Sequence, residues 1–355
     1  MSTELQSDPH TAVDEQSRLL SEFPYPTYEE WYEAAVKLLK GTPFEKKMYT
    51  STYEEITLQP LYTQKDTEGL PHLEVFPGFA PYVRGTHLSG YKIASWDVAQ
   101  KIARGTPAEC NKALIHALKN GQTTVHLMLD KASRQGINPD RVSSDDVGQD
   151  GVSIATLEDL KQALDDIDLE QTPIVIQAGT AIIPVAAFLV ALIKKRQITL
   201  EKVRGWIAMD HLGILVSEGS LPFSLKTAYK KLAALTHWTR KHLPQLKTIT
   251  VQSAPYHNSG GSAVQELAFV IATAVEYLRA MQNADLSIDD VAPRIQFDFS
   301  IGTQYFMEIA KLRAARVVWA KIVKAFGGND VAQKMTIHGQ TALWNKTIHD
   351  PYVNM

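Results

Sequence analysis

Short runs of strand-forming residues recur along most of this chain, and the stretches between them carry helical spacing. The runs are TVHLMLD (124–130), GVSIAT (151–156), PIVIQAG (173–179), GWIAMD (205–210), KTITVQS (247–253), RIQFDFS (294–300) and KMTIHGQ (334–340). Helical segments at about 157–166, 181–196, 223–243, 262–283 and 303–326 fill most of the gaps. Alternation of this kind requires parallel strands joined by crossovers. Two architectures satisfy it: an open doubly wound sheet, or a barrel of eight strand–helix units lacking its last unit.

The strand faces distinguish the two. In 248–252, Thr248, Thr250 and Gln252 share one face and Ile249 and Val251 the other. Gln296, Asp298 and Ser300 likewise oppose Ile295, Phe297 and Phe299, and Thr336, His338 and Gln340 oppose Met335 and Ile337. A parallel sheet covered by helices on both faces reads as continuously apolar, so polar faces on three strands disfavour it. A barrel with a polar interior accommodates them, as a satisfied polar core or as a bore occupied by water or ligand.

The flanks read differently. Residues 1–20 are polar and acidic and are expected to be disordered, without a secretory signal. Residues 21–69 read as an arm: YEEWYEAAVKLLKG has helical spacing and a Gly stop, and an extended, strand-like stretch follows. The Pro/Gly-rich LPHLEVFPGFAPYVRGTHLS (70–89) marks the start of the main domain, 70–355. The net charge of -3 gives no basic excess for nucleic acid, and the longest apolar run, Ala178 to Ile193, is too short to span a membrane. The lone Cys110 leaves no internal disulfide and no Cys cluster for zinc, and reads as an inert thiol. A cytoplasmic protein without a metal site is the expectation.

Three further features carry little chemistry. The Gly-rich HNSGGSA (257–263) lies between a strand and a helix, a setting that can bind phosphate but is shorter than a P-loop. SSDDVGQD (143–150) lacks calcium-loop spacing, and His237, Lys241 and His242 do not make a ligating pair. The helix FMEIAKLRAARVVWAKIVKAF (306–326) is more demanding. It is apolar on almost every side yet holds Glu308, Lys311, Arg313 and Arg316 in its first half, so those charges need partners.

FPGFAPYVRG (76–85), SAVQELAF (262–269), APRIQFDFSIG (292–302), FMEIAKLRAARVVWAK (306–321) and IHGQTALWNKTIHDPYVN (337–354) together resemble the substrate-binding barrel of the methylmalonyl-CoA mutase family. The N-terminal arm resembles the opening of that family's small subunit. The resemblance implies an α/β fold, a (β/α)8 TIM-type barrel, here truncated before its eighth strand. It also implies a bore lined by small polar side chains and threaded by coenzyme A, and chemistry supplied by adenosylcobalamin.

Carried over residue by residue, the resemblance is incomplete. His87 stands where catalytic chains carry a Tyr. Ser217 and Glu218 lie in the stretch that should hold the Arg for the substrate carboxylate, and no Arg lies between Gly205 and Leu225. Pro255 occupies the catalytic His position unless a two-residue shift brings in His257. Arg294, His338 and Gln340 match positions that contact coenzyme A, substrate or cofactor, although Gln296 replaces a partner Ser. His257 and His338 are thus weak catalytic candidates, and Arg294, His338 and Gln340 candidate substrate contacts. Glu308, Lys311, Arg313 and Arg316 are expected at a subunit interface. The cobalamin signature Asp-x-His-x-x-Gly is not met: Asp8 and His10 are followed by Val13. The expectation is a small, non-catalytic subunit without a cobalamin domain, supporting a large catalytic subunit that holds adenosylcobalamin and interconverts methylmalonyl-CoA and succinyl-CoA. The alternative is the substrate-binding chain of a split, isobutyryl-CoA-type acyl-CoA mutase, with cobalamin on a separate chain.

Overall fold

The computed structural model describes residue 23 and residues 26–93 and 95–354. The expected disorder over 1–20 and the Asp8/His10 near-match lie outside the described residues. The chain divides into two units, 1–69 and 70–355. No helix among the described residues is long and apolar enough to cross a membrane.

In the first unit, helix Tyr28–Leu38 is started by a capping box: Thr27 Oγ1 accepts from Glu30 N, and Glu30 Oε2 accepts from Thr27 N at 2.8 Å. This helix buries no residue. Phe44 is buried among the rings of Trp31, Tyr32 and Tyr49. The extended stretch makes only a two-residue antiparallel pairing, Thr50–Ser51 with Thr57–Leu58.

In the second unit the strands are β1 (Val125–Met128), β2 (Ile174–Gln177), β3 (Gly205–Ala208), β4 (Leu246–Lys247), β5 (Ile249–Gln252), β6 (Ile295–Ile301) and β7 (Thr336–Thr341). All pair in parallel, as the sheets β1-β2-β3-β4 and β5-β6-β7. Only Thr248 separates β4 from β5, and its hydroxyl lies 2.8 Å from that of Thr236. Thr250 N donates to Met209 O at 3.0 Å, tying β5 to the end of β3. Gly205 opens β3 because a side chain there would strike the backbone of Ile174.

One expected strand is reduced. The 151–156 run supplies a single bridge, Val152 to Leu129, because Ile154 N is then taken by Ser133 Oγ at 3.0 Å instead of a strand partner. Ile102, outside the runs read as strands, makes another parallel bridge, to Leu127.

The main helices are α1 (Pro107–Lys119), α2 (Leu157–Ala163), α3 (Ile182–Lys195), α4 (His211–Glu218), α5 (Leu225–His242), α6 (Ala263–Gln282) and α7 (Tyr305–Ala325); α2, α3, α5, α6 and α7 fall close to their expected places, and α1 and α4 were not among the expected segments. Thr106, Thr156, Ser224 and Ser262 cap α1, α2, α5 and α6 through their hydroxyls. Apolar strand faces meet these helices in two clusters. Leu127, Ile174, Ile176 and Ile207 pack with α1 to α3, while Val251, Phe297 and Phe299 pack with α6 and α7. Phe297 meets Trp319 edge-on at 4.9 Å. The opposite faces carry His126, Gln177, Trp206, Gln252, Asp298 and His338, and these meet one another across the interior. A mixed α/β fold with parallel sheets, compatible with a barrel, is the result.

Candidate functional site

The strand interiors converge on three rings. His126 from β1, Trp206 from β3 and His338 from β7 have ring centroids 6.4 Å, 5.9 Å and 5.3 Å apart for the pairs His126–Trp206, His126–His338 and Trp206–His338. The expected lining of small side chains is therefore corrected: the centre is filled by large ones. Burial, and then the Lys101 charge, push the His126 pKa down to about 3 and that of His338 to about 4, so both rings are neutral near pH 7. Neutral His126 accepts at Nε2 from Gln177 Nε2 (3.2 Å), and Gln177 Oε1 in turn accepts from Gln252 Nε2 at 3.4 Å.

Lys101 enters beside β1 and donates to Gln340 Oε1 at 2.5 Å. Its pKa is lowered by burial, although Asp298 pulls it up, and Arg134 lowers it further. Asp298 is pushed up to about 6 by burial, against the pull of Lys101. The lysine and the carboxyl feel each other without forming an ion pair among the described residues.

At the C-terminal ends of the strands lies a cavity of about 440 Å³, whose lining includes Met128, Gln177, Ala208 and Gln252 from the strands and their ends, Lys101 from beside β1, and Ser217 and Glu218 from α4. Asp210 also lines it but is committed to the fold. It accepts from Gly213 N, Gln252 N and Tyr277 Oη, and burial raises its pKa. Among the described residues that line it there is no histidine.

The site residues read from the sequence do not gather in one place. His338 and Gln340 lie in the interior beneath the cavity. Arg294 lies at the other end of its strand, buried, donating to Leu246 O at 3.1 Å. His257 follows β5 in the short helix Ala254–His257; its Nδ1 donates to Glu266 Oε2 at 2.8 Å, and a Cβ on Gly302 would come 3.6 Å from its Nε2. Glu308 and Lys311, expected at an interface, are buried within the second unit. Lys311 is 3 % exposed and Glu308 8 %; Lys311 Nζ binds Glu266 and Glu308 at 2.7 Å each and donates to Ser300 O. These charges satisfy one another inside the second unit. Arg313 and Arg316 are half-buried and make no ion pair among the described residues.

Lys101, His126, Trp206 and Arg134 belong to the candidate site, and the sequence reading did not single them out. The runs at 124–130 and 205–210 read simply as strands, with no face assigned to His126 or Trp206.

A sequence model of the methylmalonyl-CoA mutase family matches residues 51–355. Among relatives, the methylmalonyl-CoA mutase of Escherichia coli (strain K12) is 33% identical over 331 residues, 92% of this chain and 46% of that protein. The methylmalonyl-CoA mutase large subunits of Streptomyces virginiae and Porphyromonas gingivalis are 34% and 33% identical, covering 94% and 86% of this chain and 45% and 43% of their own lengths. The chain thus spans under half the length of these relatives, and the match takes in both the parallel strands and the helix that holds Lys311. On these grounds the chain belongs to the methylmalonyl-CoA mutase family.

Proposed function

We propose that this chain is a small, non-catalytic subunit of a heterodimeric methylmalonyl-CoA mutase in the cytoplasm. It forms most of a (β/α)8 barrel and supports a large subunit that carries adenosylcobalamin and performs the interconversion of methylmalonyl-CoA and succinyl-CoA. The observation behind this reading is the ring cluster of His126, Trp206 and His338. Rings at these separations are in contact, so a pantetheine chain has no column to follow through the interior. The cavity above the rings presents Ser217 and Glu218 where a substrate-carboxylate Arg is called for, and Glu218 would repel that carboxylate. The first unit exposes Tyr28, Val36, Leu38, Tyr53, Ile56 and Tyr62, an apolar set suited to packing on a partner chain.

A second reading has one observation in its favour. Arg134 lines the same cavity and offers a guanidinium from another element, as the substrate-binding chain of a split mutase would need. Titrating the isolated full-length chain with coenzyme A separates the two. The subunit reading expects no saturable binding, and turnover only when a large subunit is added. Tight binding of coenzyme A by this chain alone would overturn it.

A further inference from the structure

α3 lies on the outside of the second unit yet carries no polar side chain until its last turn. From Ile182 to Ile193 it reads IIPVAAFLVALI, and a helix apolar on every side belongs under cover. Its inner side meets that requirement, since Ile182, Val185, Leu189 and Leu192 are buried in the core. Its outer side does not. Ile183 is 38 % exposed, Pro184 and Ala187 are exposed as well, and the neighbouring α5 adds Ala234 and Trp238, the latter 36 % exposed. Between the two helices lies a groove of about 480 Å³. Ala187, Ala191 and Ala234 are too short to fill it, and Ile183, Val190 and Trp238 stand around it. The Trp238 ring packs on that of His242, one turn on, with centroids 4.6 Å apart.

The charge around this groove is of one sign. Lys194, at the end of α3, lines it, and α5 has no acidic residue along its length. Lys226 and Lys230 precede Ala234 by two turns and one, and Lys241 follows Trp238 by one turn, all exposed. None of these four lysines forms an ion pair among the described residues. The carboxylates of neighbouring elements are engaged elsewhere: Glu158 by Lys161 and Lys195, Glu170 by Lys202, Glu276 by Tyr229, and Asp290 by Arg240. Glu218 lines the cavity at the strand ends. Glu201, on the segment Leu200–Lys202 that follows α3, sets one negative charge against the four lysines.

This arrangement selects among occupants. A second copy of the same face would bring the lysines together, so the groove does not pair with itself. A flat lipid surface would leave the hollow between Ile183 and Trp238 unfilled. From Ile183 to Lys194 the groove runs about 16 Å, or three turns of helix. A helix with larger side chains at i, i+3, i+4 and i+7 fills such a trough, and acidic residues beside that stripe would meet the lysines.

We propose that the groove between α3 and α5 docks an acidic amphipathic helix of a partner protein, with its apolar stripe over Ala187, Ala191 and Ala234 and its carboxylates on Lys194, Lys230 and Lys241.

The test uses the full-length chain and a fluorescein-labelled helical peptide with leucine at i, i+3, i+4 and i+7 spacing and glutamate beside it. A second peptide carries lysine in place of each glutamate. Fluorescence anisotropy should show saturable binding of the acidic peptide, weaker as salt is raised. Ala234→Glu, at an exposed helix position, should weaken it about tenfold or more without moving the thermal midpoint, which separates loss of the groove from loss of the fold. Lys194→Met should weaken binding and lessen its salt dependence. No saturable binding of the acidic peptide would overturn the proposal, as would equal binding of the basic one or an affinity unchanged by Ala234→Glu. Capture of the chain on phosphatidylglycerol vesicles at concentrations where the acidic peptide does not bind would also overturn it, and would point to a membrane surface.

Discussion

Lys311 is a side chain 3 % exposed whose ammonium is surrounded by three acceptors: Glu266, Glu308 and the Ser300 carbonyl. Removing one partner of a buried pair leaves the other's charge without compensation. Glu266→Gln should therefore cost about 3 kcal/mol in urea unfolding, and also slacken His257, whose Nδ1 donates to the same oxygen. A change below about 1 kcal/mol would mean that Glu308 alone suffices. The sequence showed that the charges of this helix had to be paired. It did not show with what, because Glu266 lies on α6, forty-five positions away from Lys311, and no local period links the two. Lys247 is the opposite case: it lies beside Trp206 in the strand register, and burial, with Arg294 adding repulsion, lowers its pKa to about 8. The penalty on its charged form grows as pH falls from 10.5 to about 8 and is complete below that. Lys247→Met should therefore stabilise the protein by about 1–2 kcal/mol at pH 7, and by less at pH 10, measured by denaturant midpoint.

At the scale of elements, helices were more legible than strands. The helices α3, α5, α6 and α7 begin and end within a few residues of their expected limits because their apolar stripes are long and their starts have hydroxyl caps or free amides. Strands are short, and a single side chain can remove one: Ser133 takes the Ile154 amide and ends pairing at 152. The polar faces of β5, β6 and β7 were readable from alternation. Those of β1 and β3 were not, since His126 and Trp206 stand in otherwise apolar runs, and a tryptophan on a strand reads as core. On α7, Phe306 and Ile309 are exposed, 81 % and 41 %, and Arg313 and Arg316 continue the same face without a carboxylate partner. This face is suited to a partner with acidic residues beside an apolar surface. Arg313→Met should lower solubility or weaken assembly with the proposed large subunit in sedimentation velocity; normal assembly with only turnover reduced would place Arg313 elsewhere.

For the whole molecule, the buried imidazoles set the response to acid. His126, His211 and His338 have pKa values of about 3, 4 and 4, lowered chiefly by burial, while the unfolded chain protonates near 6.5. Their stabilising contribution is therefore present above 6.5 and lost as pH falls toward 4. His126 alone should lose about 2 kcal/mol between pH 6.5 and pH 5. Asp298 acts in reverse, regaining stability as pH falls through about 6 toward 3.8, and Asp210, whose pKa burial also raises, acts in the same direction, so two carboxyls oppose three imidazoles. Denaturant midpoints at pH 7 and pH 5 should fall on acidification, and His126→Gln should flatten the slope. A flat profile in the unaltered chain would mean that the interior takes up protons freely. The strands also follow one another in space in the order in which they occur in the chain, from Ile102 through β1 to β7. On a ribosome, each emerging strand finds its neighbour already made and offers its other edge to the next, so the sheet can grow by accretion, one crossover at a time. The rings of His126 and Trp206 wait for that of His338, and the ring cluster is complete only when β7 arrives.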